Sequence, residues 1–141
     1  MIQLTRTYKD FNGNERTEDF MFNLTSAEVL DLELSENGGL SEIMKKLSSQ
    51  QDIKEIIKIF RNIVSLAYGE KSADGRLFEK SPELTRKFMA TQAYSDIYYE
   101  LVTDVNKASA FINAIVPSDL REKMNEISAN NNGPVAVSNN D

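Results

Sequence analysis

Apolar and polar residues alternate from the start of the chain: Ile2, Leu4, Arg6 and Tyr8 fall on one set of positions, with Gln3, Thr5 and Thr7 between them. The alternation returns at Phe20, Phe22 and Leu24, separated by Met21 and Asn23. A period of two gives a strand one apolar face, so the two stretches predict an antiparallel hairpin. The dipeptide Asn12-Gly13 suggests a two-residue turn, but that loop would pair even positions with odd ones and set Ile2 opposite Asn23. A three-residue loop, Phe11-Asn12-Gly13 with Gly13 left-handed, instead pairs Leu4 with Phe20, Ile2 with Phe22 and Arg6 with Glu18. That register keeps the apolar sets together, and it is the one expected.

From Thr25 the period becomes helical. Thr25 and Glu28 make a capping box that opens a helix over 26–36, which Asn37-Gly38-Gly39 stops. A short helix is expected over 41–47. Asp52 with Glu55 opens the longest one, 53–68, ended by Gly69. Its apolar residues cover roughly 200° of arc, against the ~100° or more of a surface helix, which predicts a central helix touched on several sides. The polar stretch 70–80 reads as a loop with a short extended piece at 76–78. Ser81-Pro82 starts a helix running to about Thr91, a second spans 93–103, and a third runs from an Asp104 cap to Val116. After Pro117, Ser118 caps a last helix over 119–127. The remaining residues, 128–141, include five Asn and no aromatic, and predict a disordered tail.

The expected fold is therefore α+β and mainly α-helical, an N-terminal β-hairpin packed on a multi-helix body. One domain is expected over 1–127, with the hairpin at 1–24 and the body at 25–127. Composition narrows the function. The net charge is −6 with 22 acidic and 16 basic residues, which disfavours nucleic acid and anionic membrane surfaces as partners. Without Cys or His the chain can make no disulfide, thiolate site, Ser–His or Cys–His nucleophile or His-metal centre. Neither a signal peptide nor a membrane helix is read from the hydrophobic pattern.

The chemistry-bearing motifs are weak. Asp10-Phe11-Asn12-Gly13-Asn14 starts like a calcium loop, but Glu15 stands where Gly is needed and Met21 where the bidentate Glu belongs. Turn chemistry explains the same residues. Glu18 and Asp19 point to opposite strand faces, and Glu28, Asp31 and Glu36 read as the polar face of a helix. Lys45-Lys46 and Arg86-Lys87 are too sparse for a nucleic-acid stripe, and Gly69 and Gly75 lack the Lys-Ser/Thr of a phosphate cradle. No catalytic, cofactor or metal residues are assigned. On 93–103, Tyr94, Ile97, Tyr98, Leu101 and Val102 share a face while Tyr99 points away. Ile59 and Leu66 mark the edges of the central helix's apolar arc. Either the chain's own helices cover these three residues, or they form apolar surface left for a partner.

Residues 66–117 carry a resemblance. The order Tyr68-Gly69-Glu70-Lys71-Ser72, Phe78, Lys80-Ser81, Thr91-x-Ala93-Tyr94 and Ala110-Phe111-Ile112-Asn113-Ala114-Ile115-Val116-Pro117 is similar to that of bacteriophage tail assembly chaperones, from long-tailed phages and prophages of Gram-positive bacteria. The resemblance implies a non-enzymatic protein of the host cytoplasm, absent from the mature virion. Such a protein binds and solubilises the tape measure protein and helps recruit tail tube subunits. Self-association is a further interaction open to the chain, apart from what the resemblance implies. Its candidate partner-binding residues here are Ile59, Leu66 and Tyr99. The alternatives are another phage or mobile-element interaction component, such as a structural tail protein or small regulator, and, more remotely, a carboxylate-based enzyme.

Overall fold

The computed structural model describes residues 1–34, 42–43, 45–46, 49 and 53–120. Of the helix expected over 41–47, residues 42–43 and 45–46 are described and helical, while most of the one expected over 119–127 and all of the expected tail at 128–141 lie outside the described residues. Within them the fold is α+β and mainly helical, with the hairpin at its N-terminus.

Strands β1 (Ile2–Lys9) and β2 (Glu15–Phe22) pair in the expected register, Ile2 with Phe22, Leu4 with Phe20 and Arg6 with Glu18. The loop is the three-residue one. Gly13 has φ 84°, the Asp10 N–H donates to the Asn14 carbonyl at 2.8 Å, and the Gly13 N–H donates to the Asp10 carbonyl at 2.9 Å. A side chain at Gly13 would be strained in this left-handed conformation.

The hairpin is half of a larger sheet. β3 (Tyr68–Lys71) and β4 (Phe78–Glu79) complete four antiparallel strands in the order β1-β2-β3-β4. This corrects the expectation that Tyr68 ends the central helix; the loop expected over 70–80 is present at 72–77, and its short extended piece lies at 78–79 instead of 76–78. Ladder pairing decides the difference: Tyr68 lies opposite Phe22, and the Asn23 N–H donates to the Ala67 carbonyl at 2.8 Å, so the chain leaves the helix at Ala67. Gly69 also has another reason to be glycine than the expected helix stop. A Cβ there would meet the Phe78 ring at 2.6 Å and the Glu79 carbonyl at 2.9 Å, so β4 closes over a position that needs empty space.

Five helices have full bounds: α1 (Ser26–Glu33), α2 (Ile53–Ala67), α3 (Pro82–Met89), α4 (Gln92–Thr103) and α5 (Val105–Ile115). Their starts follow from side chains that accept from otherwise unpaired N–H groups. Thr25 and Glu28 form the expected capping box, Ser81 accepts from Leu84, and Asp104 accepts from Asn106 and Lys107. Thr91, expected to close one helix, caps the next by accepting from the Tyr94 N–H at 3.1 Å. Helices α4 and α5 lie against β1, α3 against β3, and α2 against α3 and α4. Phe22, Leu24, Phe60, Ile63, Ile97, Ile112 and Ile115 are fully buried between them. Arg6 stands opposite Glu18 as expected, yet its guanidinium reaches Glu100 of α4 at 2.9 Å, while Glu18 accepts from the Tyr8 hydroxyl.

Two substitutions test this arrangement. Phe60 is 1% exposed, with its ring centroid 6.2 Å from that of Phe111, so Phe60→Ala is expected to destabilise the fold. The loss should be about 3–5 kcal/mol by denaturant titration, as for other large core deletions. Gly69→Ala should cost ~1–3 kcal/mol, as overpacking does, because the Glu79 carbonyl cannot swing aside like a side chain. An unchanged melting temperature for Gly69→Ala would refute the close approach of β4.

Candidate partner-binding surface

The three candidate residues do not share one site. Ile59 is 4% exposed and belongs to the buried cluster with Ile43, Phe60, Ile63 and Val64. Its expected place at the margin of the core is therefore corrected: the apolar arc of α2 is covered on this side too, and among the described side chains of this helix Lys54, Lys58, Arg61 and Asn62 are the fully exposed ones. Leu66 is half-buried. Tyr99 is 70% exposed, on the far side of α4 from buried Ile97 and Leu101, where its helical spacing puts it.

Leu66 opens onto a groove of about 730 Å³ between α2 and α3. Pro82, Met89 and Ala90 supply apolar walls, Thr85 and Arg86 border it, and the Ser65 hydroxyl meets the Met89 sulfur at 3.4 Å. The position of α3 follows from its sequence: Pro at its first turn starts the helix, buried Phe88 fixes its rotation, and Met89 is then turned toward α2. Lys80 anchors one end of the groove, donating to Glu28 Oε2 at 2.7 Å and to the Asn23 carbonyl at 2.8 Å. Burial pushes the Glu28 carboxyl up. The Lys80 ammonium and the Thr25 N–H outweigh that and hold it below the usual carboxylate range. Glu28 is thus spent on structure.

A second cavity, of about 450 Å³, lies where α2 meets the α4–α5 junction, walled by Ile56, Phe60, Leu101, Val102 and Val105. Tyr99 is outside it, one turn before Val102 and Thr103 of its rim, with the Thr103 hydroxyl donating to the Tyr99 carbonyl at 2.7 Å. Besides Tyr99, the apolar residues Met1, Phe11, Leu30, Leu34, Leu77 and Met89 are exposed, and none of these six is picked out from the sequence as surface. Phe11, 79% exposed at the hairpin tip, was legible, because a residue in the three-residue loop belongs to neither strand face. Met89 was not, because a helical wheel does not tell which neighbour it meets.

Nothing in these surfaces amounts to a catalytic constellation among the described residues. The Asp10 carboxylate accepts from the Asn12 and Asn14 N–H groups at 2.9 Å and from Arg16 Nε at 2.8 Å, which is turn chemistry. The Arg16 guanidinium and the two backbone donors hold its carboxyl below the usual range. Tyr68 donates to Glu70 at 3.1 Å, and burial, with Glu70 beside it, pushes the phenol far up. A phenol so raised stays protonated and serves as a donor, not as a base.

The motif residues of 66–117 are mostly framework. Tyr68 and Tyr94 pack on Phe88, Ser81 and Thr91 cap helices, and Phe111, Ile112, Ile115 and Val116 are buried. No curated protein and no solved structure matches the chain. Residues 1–140 match the model of a family described as phage tail assembly chaperone. A match over nearly the whole length, with the motif residues building this framework, makes the chain a member of the phage tail assembly chaperone family.

Proposed function

We propose that the chain binds and solubilises the tape measure protein of its phage and helps recruit tail tube subunits during tail morphogenesis. It does this in the host cytoplasm, as a binding protein and not an enzyme, and leaves before the virion is complete. The family match over residues 1–140 carries the reading. Two features support it: an apolar groove between α2 and α3, and an aromatic side chain left in solvent on α4. A groove between helices suits the apolar face of an amphipathic helix, which presents anchors one turn apart. No helix among the described residues is long and apolar enough to cross a membrane.

Co-expression with fragments of the tape measure protein, followed by pull-down, tests the reading. The native chain should capture at least one fragment and keep it soluble. Tyr99→Ala is expected to cost ~2 kcal/mol or more in binding, as truncation of an interfacial aromatic does. Its melting temperature should stay near the native value, because an exposed side chain contributes within about 0.5 kcal/mol to folding. Failure of the folded native chain to capture any fragment would remove the tape measure as partner. Normal capture by Tyr99→Ala would leave the groove at Leu66 and Met89 as the contact.

A further inference from the structure

The groove at Leu66 continues along α2 as a surface of different chemistry. Residues four apart on a helix form a ridge, and the ridge through Leu66 runs back over Asn62, Lys58 and Lys54. Those three side chains are exposed, as is Arg61 beside them. At 1.5 Å of rise per residue, the ridge extends about 18 Å from the groove. A helix seated on Leu66 and Met89 and lying along α2 covers both the apolar groove and the polar ridge.

The ridge is basic in a chain of net charge −6. Lys54 and Lys58 make no ion pair among the described residues. Arg61 makes none either, its guanidinium lying 5.7 Å from the centre of the Tyr98 ring. Glu55, the one carboxylate of α2, is half-buried and stands in the row of buried Ile59 and Ile63. Across the groove, α3 has the same excess: Arg86 and Lys87 share the single carboxylate of Glu83, at 2.8 and 4.0 Å. Charges at the rim of an interface choose the partner more than they add affinity, because a like charge set against them is rejected.

We propose that this surface takes an amphipathic helix with an acidic flank. The helix seats its apolar stripe on Leu66, Pro82 and Met89 and lays its Asp and Glu residues along Lys54, Lys58 and Arg61. This rests on reading the groove as a helix-binding surface, not on the tape measure being the partner. A helix with basic flanks offers the same stripe but meets the ridge as a like charge. A nucleic acid duplex offers negative charge without an apolar stripe, and three cations over this length leave it few phosphate contacts.

The test selects a ribosome-displayed library on the immobilised full chain. Its members are helical peptides of roughly 18 residues, about five turns, with Leu or Met along one face and Glu, Gln or Lys on the flanks. Glu should be enriched on a flank. The tightest Glu-flanked peptide is then titrated by fluorescence anisotropy. Lys54→Glu with Lys58→Glu should weaken its binding about tenfold, as two surface pairs turned from attraction to repulsion do. The same variant should bind the Lys-flanked form of that peptide more tightly than the native chain does. Acidic residues suit the first turns of a helix, so circular dichroism of the variant should stay native. If it does not, Lys54→Gln with Lys58→Gln replaces it, with a smaller loss expected. The proposal is overturned if no helix is retained, if Lys is enriched as often as Glu, or if the altered chain binds the peptide unchanged. Preference for duplex DNA over every peptide overturns it too. Glu enrichment beside a failure to capture any tape measure fragment removes that partner and supports the acidic helix.

Discussion

Phe88 joins the sheet to the helices, and the geometry around it depends on that joint. Its ring stacks on Tyr68 with centroids 4.1 Å apart and planes 7° apart. Phe20 and Phe22 approach it at 5.5 and 5.6 Å, and Tyr94 meets it edge-on at 5.3 Å. Side chains from β2, β3 and α4 thus converge on one residue of an eight-residue helix. A helix of that length is not stable alone, so α3 is held by its Ser81 cap at one end and by this aromatic contact near the other. Aromatic pairs contribute about 0.5–1.5 kcal/mol each beyond the area they bury, which makes the cluster a large term in a marginally stable fold.

The groove at Leu66 is a consequence of the same joint. With Phe88 turned into the core, the next residue is rotated by a helical step, and Met89 faces Ser65 and Leu66 of α2. The Lys80 link to Glu28 and Asn23 then ties the segment before α3 to the start of α1. Surface offered to a partner and residues that hold the framework are close neighbours here, yet they are different side chains. That separation explains why the motif that carries the family likeness names Tyr68, Lys80, Ser81 and Tyr94 and not the apolar residues left at the surface.

Local rules made much of this protein legible in its sequence. Parity between two alternating stretches left one hairpin register and one loop, because a one-residue slip would turn every apolar side chain outward. Thr25, Ser81 and Asp104 marked helix starts, since each needs only its own neighbours to satisfy a backbone donor. Tyr99 was placed outside the apolar face of α4 by helical spacing alone. Most residues whose environment is set within a few positions of themselves were read correctly, with the exception of Thr91, read as the end of one helix and found as the cap of the next.

Contacts between segments distant in sequence decided the rest. Tyr68 reads as the last residue of a helix until β2 is there to pair with it, and Gly69 reads as a helix stop until β4 closes over it. Ile59 sits at the edge of an apolar arc, and only packing of the whole body around α2 covers it. Arg6 was paired with Glu18 by register but reaches Glu100, because α4 brings a carboxylate beneath the strand. The physical reason is common to all four. Periodicity and capping report a residue's direction relative to its own element, whereas ladder pairing, close approach and burial belong to surfaces that exist only once distant elements have met.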